Sequence, residues 1–187
     1  ATFNFAFAIN KVNDFSHRMS VAGETDKSSW LSSLANNISG IHAKSMDITN
    51  TYDPFRRSTA PWRAILAWNS NLLDTLPDSG RDYKAATENL SGLNIVIGGP
   101  LRQNFVREST GNVSEAIINM GGKISDNLFI GFNLGLQSLS YDDYQQYSEK
   151  AVNPANFSSK FSEFKHTYRQ KTTGIGLNLK AGIIGIN

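Results

Sequence analysis

The chain has 187 residues, 40% of them hydrophobic, a formal net charge of +2 and no cysteine. That is enough chain for one sizeable domain. So small a charge, with no basic run interleaved with aromatics, points away from nucleic acid as a partner, and the lack of cysteine excludes disulfides and thiolate metal sites.

No apolar run approaches the ~18 residues of a membrane-spanning helix. No signal peptide precedes the first strand pattern, so the chain reads as trimmed at Ala1. Phe3, Phe5, Phe7 and Ile9 alternate with Asn4, Ala6, Ala8 and Asn10. Alternation sends successive side chains to opposite faces, so residues 1–12 are a predicted strand with one large apolar face. Residues 13–20 carry the pattern toward water, and 23–27 read as a loop. Over 26–38 the period changes. Trp30, Leu31, Leu34 and Ile38 fall on one face of a helix, which Thr25 or Asp26 can cap and Gly40 can end. Residues 41–59 are polar and irregular, with Tyr52-Asp53-Pro54 as turn chemistry. The spacing predicts a second helix over 61–73. Pro61 suits its first turn, and Ile65, Leu66, Trp68, Leu72 and Leu73 give it a broad apolar face. Leu76-Pro77-Asp78-Ser79-Gly80 stops it. A short strand over 93–97 is closed off by Gly98-Gly99-Pro100.

Residues 103–124 read as one long strand whose first half, with Arg107, Glu108, Ser109 and Thr110, is polar. Ser125-Asp126-Asn127 is a short turn. Leu128, Ile130, Phe132, Leu134 and Leu136 then alternate with Phe129, Gly131, Asn133, Gly135 and Gln137. Residues 141–163, with Tyr141, Tyr144, Tyr147 and Phe157, read as a long loop. Residues 164–184 repeat a polar half followed by an apolar half, in which Ile175, Leu177, Leu179, Ala181 and Ile183 alternate with Gly174, Gly176, Asn178, Lys180 and Gly182. The second face of these strands is the informative one. A strand of a soluble sandwich turns Lys, Glu and Thr toward water, whereas Gly and Asn suit a crowded polar lumen. Strands of about ten residues, apolar outside and small or polar inside, with short turns at one end and long loops at the other, are the grammar of transmembrane barrels. A soluble β-domain with an aliphatic inner face is the alternative for any one strand. It is weaker for three that share one pattern.

The run Glu108-Ser109-Thr110-Gly111, continued by Gly121-Gly122-Lys123-Ile124-Ser125-Asp126-Asn127-Leu128-Phe129-Ile130-Gly131-Phe132-Asn133-Leu134-Gly135, resembles the central hairpin of the FadL/TodX family. So does Thr172-Thr173-Gly174-Ile175-Gly176-Leu177-Asn178-Leu179-Lys180-Ala181-Gly182, and Pro61-Trp62 with the apolar helix after it resembles that family's external helical loop. The resemblance is firm over 108–184 and looser before it. It implies a portion of an all-β transmembrane barrel of fourteen antiparallel strands with a helical extracellular insertion, in the outer membrane of a Gram-negative cell. The function it implies is uptake of hydrophobic compounds such as long-chain fatty acids, captured in an external apolar groove and passed through the barrel, with no cofactor and no catalysis. On that reading residues 1–12 are a barrel strand, 13–101 an extracellular excursion with two amphipathic helices, and 102–187 three long barrel strands with one short periplasmic turn and one long extracellular loop. The chain departs from the family pattern. It lacks a plug segment ahead of the first strand, enough strands for closure, and a terminal aromatic at Asn187, and so reads as part of a longer protein. The implied partners are outer-membrane lipid and lipopolysaccharide, a hydrophobic small molecule, and a protein partner if the chain serves a membrane complex.

The chemistry-bearing residues are few. His17, His42 and His166 have no metal-ligand spacing to one another or to a carboxylate. His166 beside Tyr168 reads as a solvated strand end; relatives described as haemin receptors offer haem ligation as the other reading. No nucleophile–base, P-loop or paired-carboxylate motif points to an enzyme. Asp142-Asp143, on the expected loop, point apart into water. All three tryptophans, Trp30, Trp62 and Trp68, fall on the two expected helices. They either pack the helices into a small core or leave a face open as a groove for an apolar ligand. Trp62 shares a face with Leu66, and Trp68 with Leu72, so one tryptophan is expected to be buried and the other to line the groove. The candidate ligand-binding residues are therefore Trp62, Trp68, Leu66, Leu72, Trp30 and Arg63. Arg63, with Arg56 and Arg57, is placed in sequence to hold a carboxylate head group, lipopolysaccharide phosphates, or nothing at all. The rival functions are a barrel-shaped partner of an outer-membrane secretion or assembly complex, and a haemin-binding receptor.

Overall fold

The structure is a computed structural model in which residues 2–77, 79–92 and 94–186 are described. Asp78 of the expected helix stop and Leu93 at the start of an expected strand lie outside the described residues, as do Ala1 and Asn187. The elements in chain order are β1 (Thr2–Asp14), β2 (His17–Thr25), α1 (Trp30–Asn37), α2 (Pro54–Arg57), α3 (Trp62–Asn69), β3 (Leu73–Thr75), β4 (Tyr83–Ala85), β5 (Glu88–Ser91), β6 (Asn94–Ile97), β7 (Leu101–Ser125), β8 (Leu128–Ala151) and β9 (Glu163–Gly185). Strand makes up 59% of the structure, so the all-β class holds. No helix is long and apolar enough to cross a membrane, which says nothing of strands.

The chain divides into two compact units. The first comprises Ala1–Ser20, Phe105–Gln146 and Thr167–Asn187. Its framework is the sheet ordered β1-β7-β8-β9, with β2 also paired to β7. Among the described residues this sheet is open, with β1 and β9 at its edges. The antiparallel β1–β7 register sets Phe3 opposite Gly122, Phe5 opposite Met120, Phe7 opposite Ile118 and Ile9 opposite Ala116. Directly opposed residues share a face, so the large apolar side chains of β1 and β7 gather on one side. Asn4, Ala6 and Asn10, opposite Gly121, Asn119 and Glu115, occupy the other.

The second unit comprises Val21–Asn104 and Tyr147–His166. Every buried hydrophobic side chain among the described residues belongs to it, including Leu31, Leu34 and Ile38 around α1, Ile65 on α3, Met46, Leu73, Tyr83, Leu101, Phe157, Phe161 and Phe164. In this core α1 packs on α3 and on β4, and the two-stranded ladders β3–β4 and β5–β6 complete the unit.

Several expected boundaries move. The first strand does not end near residue 12: β1 continues across a bulge between Lys11 and Asn13, and after a break at Phe15 the chain resumes as β2, still paired to β7. The expected loop over 141–163 is mostly strand, because β8 runs to Ala151. Asp142 and Asp143 do point apart, but neither is simply solvated. Asp142 binds Arg169 at 2.7 Å, and buried Asp143 binds Arg107 at 2.8 Å. The first helix begins later than expected, at Trp30, because Ser29 rather than Thr25 or Asp26 caps it; the Ser29 hydroxyl accepts from the Leu31 N–H at 3.1 Å. The second helix is shorter, Trp62–Asn69. Asn71 adopts the left-handed conformation at φ 55°, which ends the helix, and the chain re-enters as β3. Leu72 and Leu73 are therefore off the helix.

Gly111, within β7, sits at φ +123°, where a Cβ would collide with the Ser140 carbonyl of β8. Gly111→Ala is expected to lose more than about 1 kcal/mol, measured by urea unfolding. An unchanged midpoint would mean that the two strands can separate there without cost.

Candidate functional site

The second unit is organised around a buried carboxylate. Glu149 on β8 has no exposed surface. Its Oε1 accepts from the Trp30 N–H at 2.7 Å, the Gln103 amide at 2.9 Å and the Tyr147 hydroxyl at 2.7 Å. Its Oε2 accepts from the Ser29 hydroxyl at 2.5 Å. Ser29 in turn accepts from Thr87 at 2.8 Å. A carboxylate at a helix N-terminus answers both the orphan N–H groups and the positive end of the helix dipole. Burial, and then the bond to Glu149, hold the Tyr147 phenol well above its ordinary pKa. These contacts fix α1 in position and with it Trp30, whose backbone N–H is one of the donors.

Around Trp30 the aromatic side chains collect. Its indole stacks on Phe164 at 5.9 Å and meets the edge of Tyr147 at 5.4 Å. The His166 ring lies 5.0 Å from Trp30 and 5.8 Å from Trp62. His166 is thus not the solvated strand end expected of it. Its Nε2 is buried without a hydrogen-bond partner, and burial, with Arg63 nearby, lowers the imidazole pKa.

The expected ligand-binding residues separate into two groups. Trp62 and Leu66 lie one turn apart on α3 and are each 41% exposed. The Arg63 guanidinium stands 4.8 Å over the Trp62 ring. Trp30 joins this group through His166. Trp68 turns the other way. It is half-buried against the core, meets Tyr83 edge-on at 5.8 Å, and its indole N–H donates to Asp47 at 2.7 Å. Leu72 packs against the same core and does not share a helical face with Trp68, because the helix has already ended. Arg56 and Arg57 are on α2 and line a polar recess of about 440 Å³ with Thr49, Tyr52 and Asp53, apart from the aromatic group. Sequence reasoning missed Glu149 and His166 as site-forming residues. A lone carboxylate in a strand carries no pattern, and the spacing of 119 residues between Trp30 and Glu149 is invisible to local periodicity. No protein-family model, no curated protein and no solved structure matches this chain.

Removing the carboxylate leaves several buried donors unpaired, each costing about 1–3 kcal/mol. Glu149→Ala should therefore lower the stability of the second unit by at least about 2 kcal/mol and shift Trp30 emission to the red. Urea unfolding followed by tryptophan fluorescence measures both, and an unchanged midpoint would assign the hold on α1 to apolar packing alone.

Proposed function

We propose that this chain is part of an outer-membrane β-barrel of the FadL/TodX kind, through which hydrophobic compounds are taken up after capture on the second unit. The observation that carries the reading is where apolar surface stays exposed. The first unit has no buried hydrophobic side chain among the described residues, while Phe3 is 75% exposed and Ile175 96%. Phe5, Phe7, Ile9, Leu136, Leu177, Leu179 and Ile183 are exposed as well. They form shallow depressions rather than a scatter. Phe3, Met120, Ile130, Phe132 and Ile183 line one of about 440 Å³, and Ile9, Ala116, Leu136, Ile175 and Leu177 another of about 630 Å³. So large an apolar face calls for lipid or a partner.

Two further features support lipid. From Ile175 to Ile183 the apolar stretch runs about 26 Å along the strand, the scale of the apolar band of a membrane barrel. Beyond it the chain turns charged, with Arg169 and Lys171 on Asp142 at 2.7 and 3.5 Å and Arg18 on Glu108 at 3.0 Å. The opposite face is a ladder of amides. Asn133 bonds Asn119, and Gln137 donates to Glu115 at 3.1 Å. Gly135 leaves room for the Glu115 carboxylate, which a Cβ there would meet at 2.6 Å. Polar groups that bond one another across strands suit a lumen.

Two measurements test the proposal. Leu177 is already exposed, so in a water-facing sheet Leu177→Arg would change stability by less than about 0.5 kcal/mol. Facing the bilayer it should cost about 2–4 kcal/mol, with Asn178→Arg far milder. Refolding of the full-length protein into liposomes reads the difference, and equal effects would count against a membrane barrel. For capture, Trp62→Ala should reduce cellular uptake of a long-chain fatty acid while the protein stays folded. Trp68→Ala should loosen the second unit itself, seen as an earlier urea midpoint. Uptake unaffected by Trp62→Ala would remove α3 from the capture step.

A further inference from the structure

The polar recess beside α2 has a frame that is fixed within the chain. The Thr49 N–H donates to the Tyr52 carbonyl at 3.1 Å, and the Thr49 hydroxyl accepts from the Tyr52 N–H at 3.0 Å, which closes the turn. The Tyr52 hydroxyl donates to the Ser45 carbonyl at 3.2 Å. Asp53 caps α2 by accepting from the Phe55 N–H at 3.0 Å, and Pro54 next to it is fully buried. The recess of about 440 Å³ that these residues border is therefore formed before any ligand arrives. Arg56 and Arg57 border it too. Arg18, Arg102, Arg107 and Arg169 each lie on a carboxylate. Among the described residues Arg56 and Arg57 lie on none, although they are neighbours of like charge.

Two guanidinium groups without a carboxylate suit a phosphate, whose oxygens take paired N–H donors from a planar fork. The rest of the lining narrows the ligand. Asp53 brings a carboxylate to the same recess, together with Thr49, Asn50 and Thr51. A bare phosphate held there would turn negative charge toward Asp53, and like charges repel. A phosphate carried on a hydroxyl-bearing group meets both demands. The phosphate takes the arginines, while O–H groups beside it donate to Asp53 and exchange bonds with the threonine hydroxyls and the Asn50 amide. We propose that this recess binds a phosphorylated sugar. Its volume falls within the ~300–1,000 Å³ of small-ligand sites. The inference does not rest on the capture reading above, because Trp62, Arg63 and Leu66 are not part of the lining. Two sources carry this chemistry, a free sugar phosphate and the phosphorylated sugar of a glycolipid head group.

The test is calorimetric titration of the full-length protein in detergent micelles at low salt, with glucose 1-phosphate, glucose and inorganic phosphate as probes. Glucose 1-phosphate is expected to bind about tenfold or more tightly than either of the others. Arg56→Ala and Arg57→Ala should each weaken it about tenfold. Both side chains are exposed, so the urea midpoint should stay where it is. Asp53→Asn still caps α2. It should strengthen inorganic phosphate about threefold, by removing the facing charge, and leave glucose 1-phosphate no tighter than in wild type. Lipid A in mixed micelles separates the two sources. Displacement of glucose 1-phosphate by lipid A identifies a glycolipid as the occupant, and glucose 1-phosphate binding that lipid A does not disturb identifies a free sugar phosphate. Inorganic phosphate binding as tightly as glucose 1-phosphate would overturn the proposal. So would glucose 1-phosphate that does not bind the wild-type protein, or that binds both arginine variants as it binds wild type. The comparison of the three probes on wild-type protein needs no variant to fold, and none of these results bears on fatty-acid uptake.

Discussion

The second unit depends on one interaction, the enclosure of the Glu149 carboxylate by Ser29, Trp30, Gln103 and Tyr147. A charge taken fully out of water is tolerated only when its lone pairs are satisfied. Among the described residues no cation does so; neutral donors and a helix N-terminus share the task. The arrangement ties together segments far apart in the chain. Ser29 and Trp30 open α1, Gln103 begins β7, and Tyr147 and Glu149 lie near the end of β8. The helix that carries Leu31, Leu34 and Ile38 into the core is thereby fixed in rotation as well as position. Apolar burial supplies most of the stability, but it is non-directional. Register comes from the carboxylate, and because Trp30 is locked, the neighbouring aromatic rings have a fixed wall to pack against.

The two units solve opposite problems. The second buries its apolar residues in the ordinary way, with Phe157, Leu31, Ile38, Met46 and Ile65 almost wholly enclosed. Gly98 records how tight that packing is, since a Cβ there would meet the Phe157 ring at 2.6 Å. The first unit has comparable apolar content and buries none of it. β7, β8 and β9 each contribute to both units, and their sequences change character along their length, polar or aromatic over 105–114 and 141–151, small and aliphatic over 116–122 and 128–136. One strand thus carries two kinds of surface along its length.

Much of this was legible in the sequence. The alternation in β1, in the first half of β8 and in the second half of β9 named the strands and their apolar faces, because period 2 is a direct consequence of extended backbone. The helical period over Trp30, Leu31, Leu34 and Ile38 named α1. What could not be read were elements whose signal is tertiary. β2 pairs with β7 although His17, Arg18 and Ser20 carry no apolar alternation, and the aromatic and acidic run after Tyr141 is strand because its polar groups find partners on neighbouring strands. Helix ends were misjudged for local reasons, since a serine hydroxyl and a single left-handed asparagine outweigh the apolar pattern around them. In the site, the spacing of six residues sets Trp62 and Trp68 pointing apart, but not which of them turns outward. The histidine between Trp30 and Trp62 was not legible, because a residue 104 positions from Trp62 leaves no trace in either helix.

The character of the two faces of the first unit narrows what can cover them. A sheet exposing Phe3, Ile175 and Ile183 could be capped by a second apolar sheet about 10 Å away, as in a sandwich. Such a cap would have to stop short of Asp142, Arg169, Lys171, Arg18 and Glu108, or bury several charges whose exposed pairs are worth little and whose desolvation costs more. It would also leave the opposite face as an ordinary wet surface, where Gly131, Gly176 and Gly182 weaken a strand and gain nothing from water. A lipid layer has neither difficulty. It ends where charge begins, as the charged row requires. It also lets the other face curve inward, where the small residues relieve crowding and Asn119, Asn133, Glu115 and Gln137 bond across strands instead of to solvent. The exposed edges of β1 and β9 then become places where further strands join rather than defects, since only closure satisfies backbone groups within a bilayer. The apolar band, the charged row, the amide ladder and the open edges are thus accounted for together by the proposed membrane barrel, and only piecemeal by a sandwich.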